Sequence, residues 1–171
     1  MARSKSDISN SALRIFLQNV GKFYDTERGY EPFIPKKAQK LELLEHFNFE
    51  CCYCGNDIDV KSLSQDHLIP MNKISLGLHS WGNVVPCCNE CNNKKHQKPW
   101  KDYLKTTAPG KLFIKRKKRI DNFVSEMKYD PNLNLSKYAN NLYEDIGEVA
   151  LTLIKLRYKQ AEEDIKILLS K

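Results

Sequence analysis

No stretch of this chain approaches the ~20 consecutive apolar residues that a membrane-spanning helix needs. The first apolar run, Leu13-Arg-Ile-Phe-Leu17, is too short and too interrupted for the core of a signal peptide. A cytoplasmic, intracellular protein without a membrane role is therefore expected. Glycine and proline are also scarce, at 7 each in 171 residues, and neither an internal repeat nor a low-complexity tract interrupts the chain. That excludes collagen-like and disordered classes and leaves an ordered globular protein of one ordinary domain's size. Acidic residues are in deficit, 21 against 28 basic, for a formal charge of +7 and a pI near 9.0, so the favoured partner is anionic.

Apolar spacing places helices at both ends. Leu13, Phe16, Leu17, Val20 and Tyr24 recur at three- and four-residue steps and predict a helix over residues 9–24; Ala38, Leu41, Leu44 and Phe47 predict a second over 36–47. From Phe49 to Pro86 the helical period fails, and turn formers such as Gly55-Asn56-Asp57 predict hairpins and loops. A helix then starts near Asn89 and passes Lys94 and Lys95, Pro99 marks a break, and a fresh helix begins at Trp100. Beyond Ala108-Pro109-Gly110, helices are expected over 111–127 and 136–169. Residues 101–130 hold nine basic against four acidic residues, centred on the run Lys115, Arg116, Lys117, Lys118 and Arg119. Such a block can track a phosphate backbone, or it can simply be a solvated helix face.

Six cysteines with no export signal point to metal rather than disulfides. Cys51 with Cys54 and Cys88 with Cys91 form two C-x-x-C turns, and two such turns supply the four tetrahedral thiolates of a closed, structural zinc site. Cys52 and Cys87 are left over as packing residues, although Cys52 with Cys54, or Cys87 with Cys91, would be competing pairs of poorer spacing. The turns lie 33 residues apart, farther than in a common zinc ribbon, so an insert must sit between them.

The insert carries Gln65-Asp66-His67-Leu-Ile-Pro70 and Trp81-Gly-Asn83-Val-Val-Pro86, and Asn92 follows Cys91. In that order, between two C-x-x-C turns, these residues resemble the HNH endonuclease family over Cys51 to about Leu104, a third of the chain. The resemblance implies a zinc-stapled ββα-metal (His-Me finger) core at 49–105; with the helical segment read at 1–48 and the basic and amphipathic helices read at 106–171, the expected fold class is α+β. It implies that Asp66 and Asn92 hold a catalytic Mg²⁺ or Mn²⁺, that His67 is the general base for an attacking water, and that Asn83 orients the imidazole. DNA phosphodiester hydrolysis to 5′-phosphate and 3′-hydroxyl ends would follow. The usual last histidine of the motif is replaced by Asn92, and His96, one turn on, is a candidate further ligand or phosphate contact.

Lys94, Lys95, Lys98 and the basic run would then contact DNA without reading its sequence. His46 and His79 are expected to be structural, and Trp100 and Tyr103 to pack between helices. Asp66 and His67 are neighbours, so an ideal strand would point them to opposite faces; convergence needs a local bend. Two other readings use the same residues: a noncatalytic zinc-dependent DNA-binding module, and a subunit of a nuclease complex. The helix over 136–169 could join a homodimer or a partner protein, with Gln160 and Glu163 interrupting its apolar line. Restriction, homing, phage and defence roles are all compatible with the family.

Overall fold

The computed structural model describes residues 5–169. Among them are six helices and one two-stranded sheet: α1 Lys5–Glu27, α2 Lys37–His46, β1 Ser64–His67, β2 Val84–Cys87, α3 Asn89–Lys95, α4 Trp100–Thr107, α5 Lys111–Glu126 and α6 Ser136–Leu169. The strands pair antiparallel, with Asp66 opposite Val85 and His67 opposite Val84. Among the described residues no helix is long and apolar enough to cross a membrane.

The expected helices are present, and α1 extends past both expected ends. Its inward line is Ser9, Leu13, Leu17, Gly21 and Asp25, one residue per turn, all buried. Polar residues at both ends of that line hide the helix from a reading by apolar spacing alone. Gly21 is where α1 comes closest to the chain opposite: a Cβ there would collide with the carbonyl of His79, so this contact fixes the distance between α1 and the His79 loop.

The core is laid down in two clusters. In the larger one, Leu43 and Leu44 of α2, Phe47 at its C-cap, Tyr53, Val84, Val85, Leu104 of α4, and Ile120 and Phe123 of α5 are buried together. Helices from both flanks of the strand pair thus bury side chains against it. The smaller cluster joins Leu13 and Leu17 of α1 to Leu78, Tyr129 and Ala139 of α6. Trp100 is packed against the larger core and Tyr103 is buried in it, edge-on to Tyr53 at 5.2 Å.

A buried ion pair ties α1 to the rest. The Asp25 carboxylate accepts from Arg28 (2.6 Å), Ser80 Oγ (2.6 Å), Phe33 N–H (2.9 Å) and Trp81 N–H (3.2 Å). Arg28 donates onward to the carbonyls of Met127 and Trp81 and lies 4.1 Å over the Tyr24 ring. Burial pushes the Asp25 pKa up, and the hydroxyl, amides and guanidinium around it pull against that shift. Removing the cation would leave a carboxylate without its counter-charge at the junction of α1, the loop at 80–81 and the end of α5. Arg28→Ala is therefore expected to lower stability by about 3 kcal/mol, read as a shift of the urea midpoint with unchanged slope.

Candidate active site

The two C-x-x-C turns meet. The sulfurs of Cys51, Cys54, Cys88 and Cys91 lie within 4.8 Å of one another, with Cys54 and Cys88 at 3.8 Å. Four sulfurs at ~2.3 Å from a tetrahedral zinc would stand about 3.8 Å apart, so the donor set and its spacing fit a closed zinc site. In the second turn Cys88 caps α3, its sulfur accepting from the Cys91 N–H at 3.5 Å. In the first, Gly55 adopts φ +75°, and a Cβ there would strike the Arg116 guanidinium. Cys52 and Cys87 are buried in the core and are not part of the four-sulfur group. Burial pushes both thiols well above the ordinary range, as expected of neutral packing residues.

The strand pair and α3 then form a ββα unit. An open cleft of about 470 Å³ runs along it, lined by Asp66, His67, Asn92, Asn93, His96 and His79, with Arg14 and Gln18 of α1 on the opposite wall. Asp66 and His67, although adjacent in β1, both reach this cleft.

Asp66 sits at its floor, almost fully buried. The Lys95 ammonium lies 3.0 and 3.1 Å from its two oxygens, and Tyr53 donates its hydroxyl at 2.6 Å. Burial raises the Asp66 pKa, and Lys95 and Tyr53 counter it by stabilising the carboxylate. Lys95 also donates to the His67 carbonyl at 2.9 Å, so one buried cation holds the chain at both residues of the motif. As for metal fit, Asp66 and Asn92 offer hard oxygen donors on one cleft, the donor type suited to Mg²⁺ or Mn²⁺.

His67 Nε2 lies 3.0 Å from His79 Nδ1. The His67 pKa is lowered to about 3, first by burial and then by the nearby His79, Lys95 and Arg14. The imidazole is therefore neutral at physiological pH, the form that can accept a proton.

Several expectations need correction. Asn83 does not touch the imidazole. Its side chain is fully buried and clamps the 68–83 loop, accepting from the Ile69 N–H (2.8 Å) and donating to the carbonyls of Ile69 (3.0 Å) and Leu78 (2.7 Å). The ring neighbour of His67 is His79, which spacing gave no reason to choose. Lys95 is not a phosphate contact: it is fully buried against Asp66, because the inward face of α3 carries Cys91 and, one turn on, Lys95. His96 is not one turn along the helix either; it is the C-cap, with φ +48°, and reaches the cleft from there.

The basic run also divides. Arg116 donates to the Tyr53 carbonyl, and Arg119 to the Phe47 carbonyl (3.1 Å) and Glu50 (2.7 Å). They share the inward side of α5 with Ile120 and Phe123 and fasten it to the core. Lys94, Lys98, Lys115 and Lys118 are exposed. Sequence reasoning missed Arg14 and Gln18, which lie outside the motif; no local signal marks them, since only the packing of α1 brings them to the cleft.

Residues 51–104 match the family model for the HNH endonuclease. This segment is an HNH endonuclease domain. Two relatives align with about the same share of the chain. A Septu protein PtuB from Bacillus thuringiensis is 33% identical over 82 residues, 47% of this chain and 28% of that protein. A CRISPR-associated endonuclease Cas9 from Corynebacterium diphtheriae is 26% identical over 84 residues, again 47% of this chain but 8% of its own length. The chain thus spans less than a third of either relative.

The HNH domain's buried pair separates two neighbouring lysines. Lys95→Ala is expected to cost about 3 kcal/mol or more by stranding Asp66, whereas Lys94→Ala, at an exposed pair with Glu90, should leave the denaturation midpoint unchanged.

Proposed function

We propose that this protein is a metal-dependent HNH endonuclease that hydrolyses DNA phosphodiester bonds, leaving 5′-phosphate and 3′-hydroxyl ends. The observation that carries this reading is the convergence of Asp66, His67 and Asn92 on one cleft, above four clustered cysteines. Its parts are an HNH core over 49–105, an N-terminal segment over 1–48 whose helix α1 walls the cleft, and a C-terminal segment over 106–171 whose helix α5 braces the core.

Cys51, Cys54, Cys88 and Cys91 hold a structural zinc that closes the core and leaves no position for chemistry. Asp66 and Asn92 hold the catalytic ion, magnesium or manganese. When bound, that ion supplies Lewis-acid stabilisation of charge on the phosphate and the departing 3′ oxygen.

His67 does the proton chemistry. With Nε2–H donated to His79, the free lone pair is on Nδ1, and the ring takes a proton from water there as the water attacks phosphorus. His79 is a positioning residue, holding tautomer and ring orientation. Arg14 faces the phosphate, and a guanidinium there offsets charge in the transition state. Exposed Lys94, Lys98, Lys115 and Lys118 add salt-sensitive phosphate contacts.

Purified protein is expected to cut plasmid in Mg²⁺ or Mn²⁺ and to stop when the ion is chelated. His67→Ala should lower the rate by about 10²-fold or more and Arg14→Ala by about tenfold, both with native circular dichroism. Equal cutting by wild type and His67→Ala would overturn the assignment of the base. Metal analysis tests the scaffold: Cys52→Ala should retain one zinc per chain, whereas Cys51→Ser should lose zinc and the cooperative thermal transition with it.

A further inference from the structure

Helix α6 carries two apolar lines. Leu142, Ile146, Val149, Leu153 and Leu156 form one, which ends where Gln160 and Glu163 take its next places. The other continues the side buried at Ala139 and Gly147 and runs on through Leu151, Ile154, Tyr158, Ala161, Ile165 and Leu168, at alternating steps of three and four. From Thr152 onward every described side chain of α6 is exposed, with Ile154 at 55%, Tyr158 at 67% and Leu168 at 69%. The face that begins against α1 is thus left uncovered over the second half of the helix. Its spacing is that of a two-helix seam.

We propose that residues 151–168 of α6 pair antiparallel with the same residues of a second copy of this chain. In that alignment Leu151 faces Leu168 of the other copy, Ile154 faces Ile165, and Tyr158 faces Ala161, so each bulky ring meets a small side chain and every layer is apolar. The flanking charges match as well. Lys155 falls beside Glu162 of the other copy and Arg157 beside Asp164; two-fold symmetry repeats both, giving four attractive pairs around six layers. A parallel pairing would set Tyr158 on Tyr158 and Ala161 on Ala161, and would match only Arg157 with Glu162. Shape and charge therefore both favour the antiparallel self-pair. The seam is about 27 Å long, from eighteen residues at ~1.5 Å each, with one nuclease body at each end.

Sedimentation velocity of the intact protein over a concentration series tests this. Wild type is expected to populate a dimer, and Ile154→Glu or Ile165→Glu to be monomeric at the same concentrations; these side chains are exposed, and circular dichroism should show both variants folded. Lys155→Glu and Glu162→Lys, each alone, should weaken the dimer by about tenfold, since two attractive pairs become repulsive. An equimolar mixture of the two variants should recover wild-type affinity as a heterodimer, in which both pairs are again opposite in sign. A parallel seam predicts no effect of Lys155→Glu. A wild-type monomer at every concentration, a dimer that survives Ile154→Glu, or a Lys155→Glu dimer as tight as wild type would each overturn the proposal. None of these readouts depends on nuclease activity.

Discussion

The geometry of the site rests on the meeting of two cysteine turns that stand 33 residues apart in the chain. Bringing Cys54 to 3.8 Å from Cys88 forces everything between them to leave and return, and β1 and β2 are the two sides of that excursion. The same meeting sets the start of α3. Cys88 is its N-cap, and the Asn92 N–H bonds back to the Cys88 carbonyl at 3.0 Å. Asn92 therefore stands one turn into a helix whose origin is fixed to the sulfur group, beside the strand that carries Asp66 and His67. The backbone of Cys52 is tied to the Pro86 carbonyl at 3.0 Å, so the first turn is anchored to β2 as well. Four thiolates close together repel one another, and an ion that neutralises them makes the arrangement favourable.

A second constraint operates at the cleft floor. A buried ammonium and a buried carboxylate are each costly alone, and together they are satisfied only by close pairing and further hydrogen bonds. Lys95, Asp66 and Tyr53 meet that requirement, and Lys95 uses a third donor on the His67 carbonyl. The pair links α3 to β1 and holds the backbone of the strand end. The same burial that makes Asp66 need a cation keeps His67 neutral. The charge states at the cleft therefore follow from one low-dielectric environment, with opposite consequences for an acid and a base.

Much of the architecture was legible from spacing. Helix positions, the break at Pro99, the grouping of four of the six cysteines, and the packing of Trp100 and Tyr103 all follow from periodicity and local chemistry. What failed did so for identifiable reasons. The ends of α1 were hidden because Ser9 and Asp25, not apolar residues, continue its buried line. Arg116 and Arg119 read as surface charges because a composition count does not know which side of a helix faces inward. The contacts of Asn83 and His79 were not legible because hydrogen-bond partners across a sixteen-residue loop are set by how that loop folds back, clamped at Ile69 and Leu78.

By itself, the sequence determined the chemical inventory and its local geometry: two thiolate turns, an Asp-His pair in an extended segment, an Asn at a helix start, and amphipathic helices around them. These depend on residue type and short-range spacing, which the chain carries explicitly. Tertiary structure alone decided which of those groups meet. It buried Lys95 against Asp66, set His79 beside His67, brought Arg14 across from a helix outside the HNH segment, and left the outer half of α6 uncovered. Such contacts join residues far apart in the chain, and only the packing of the whole core fixes their distances.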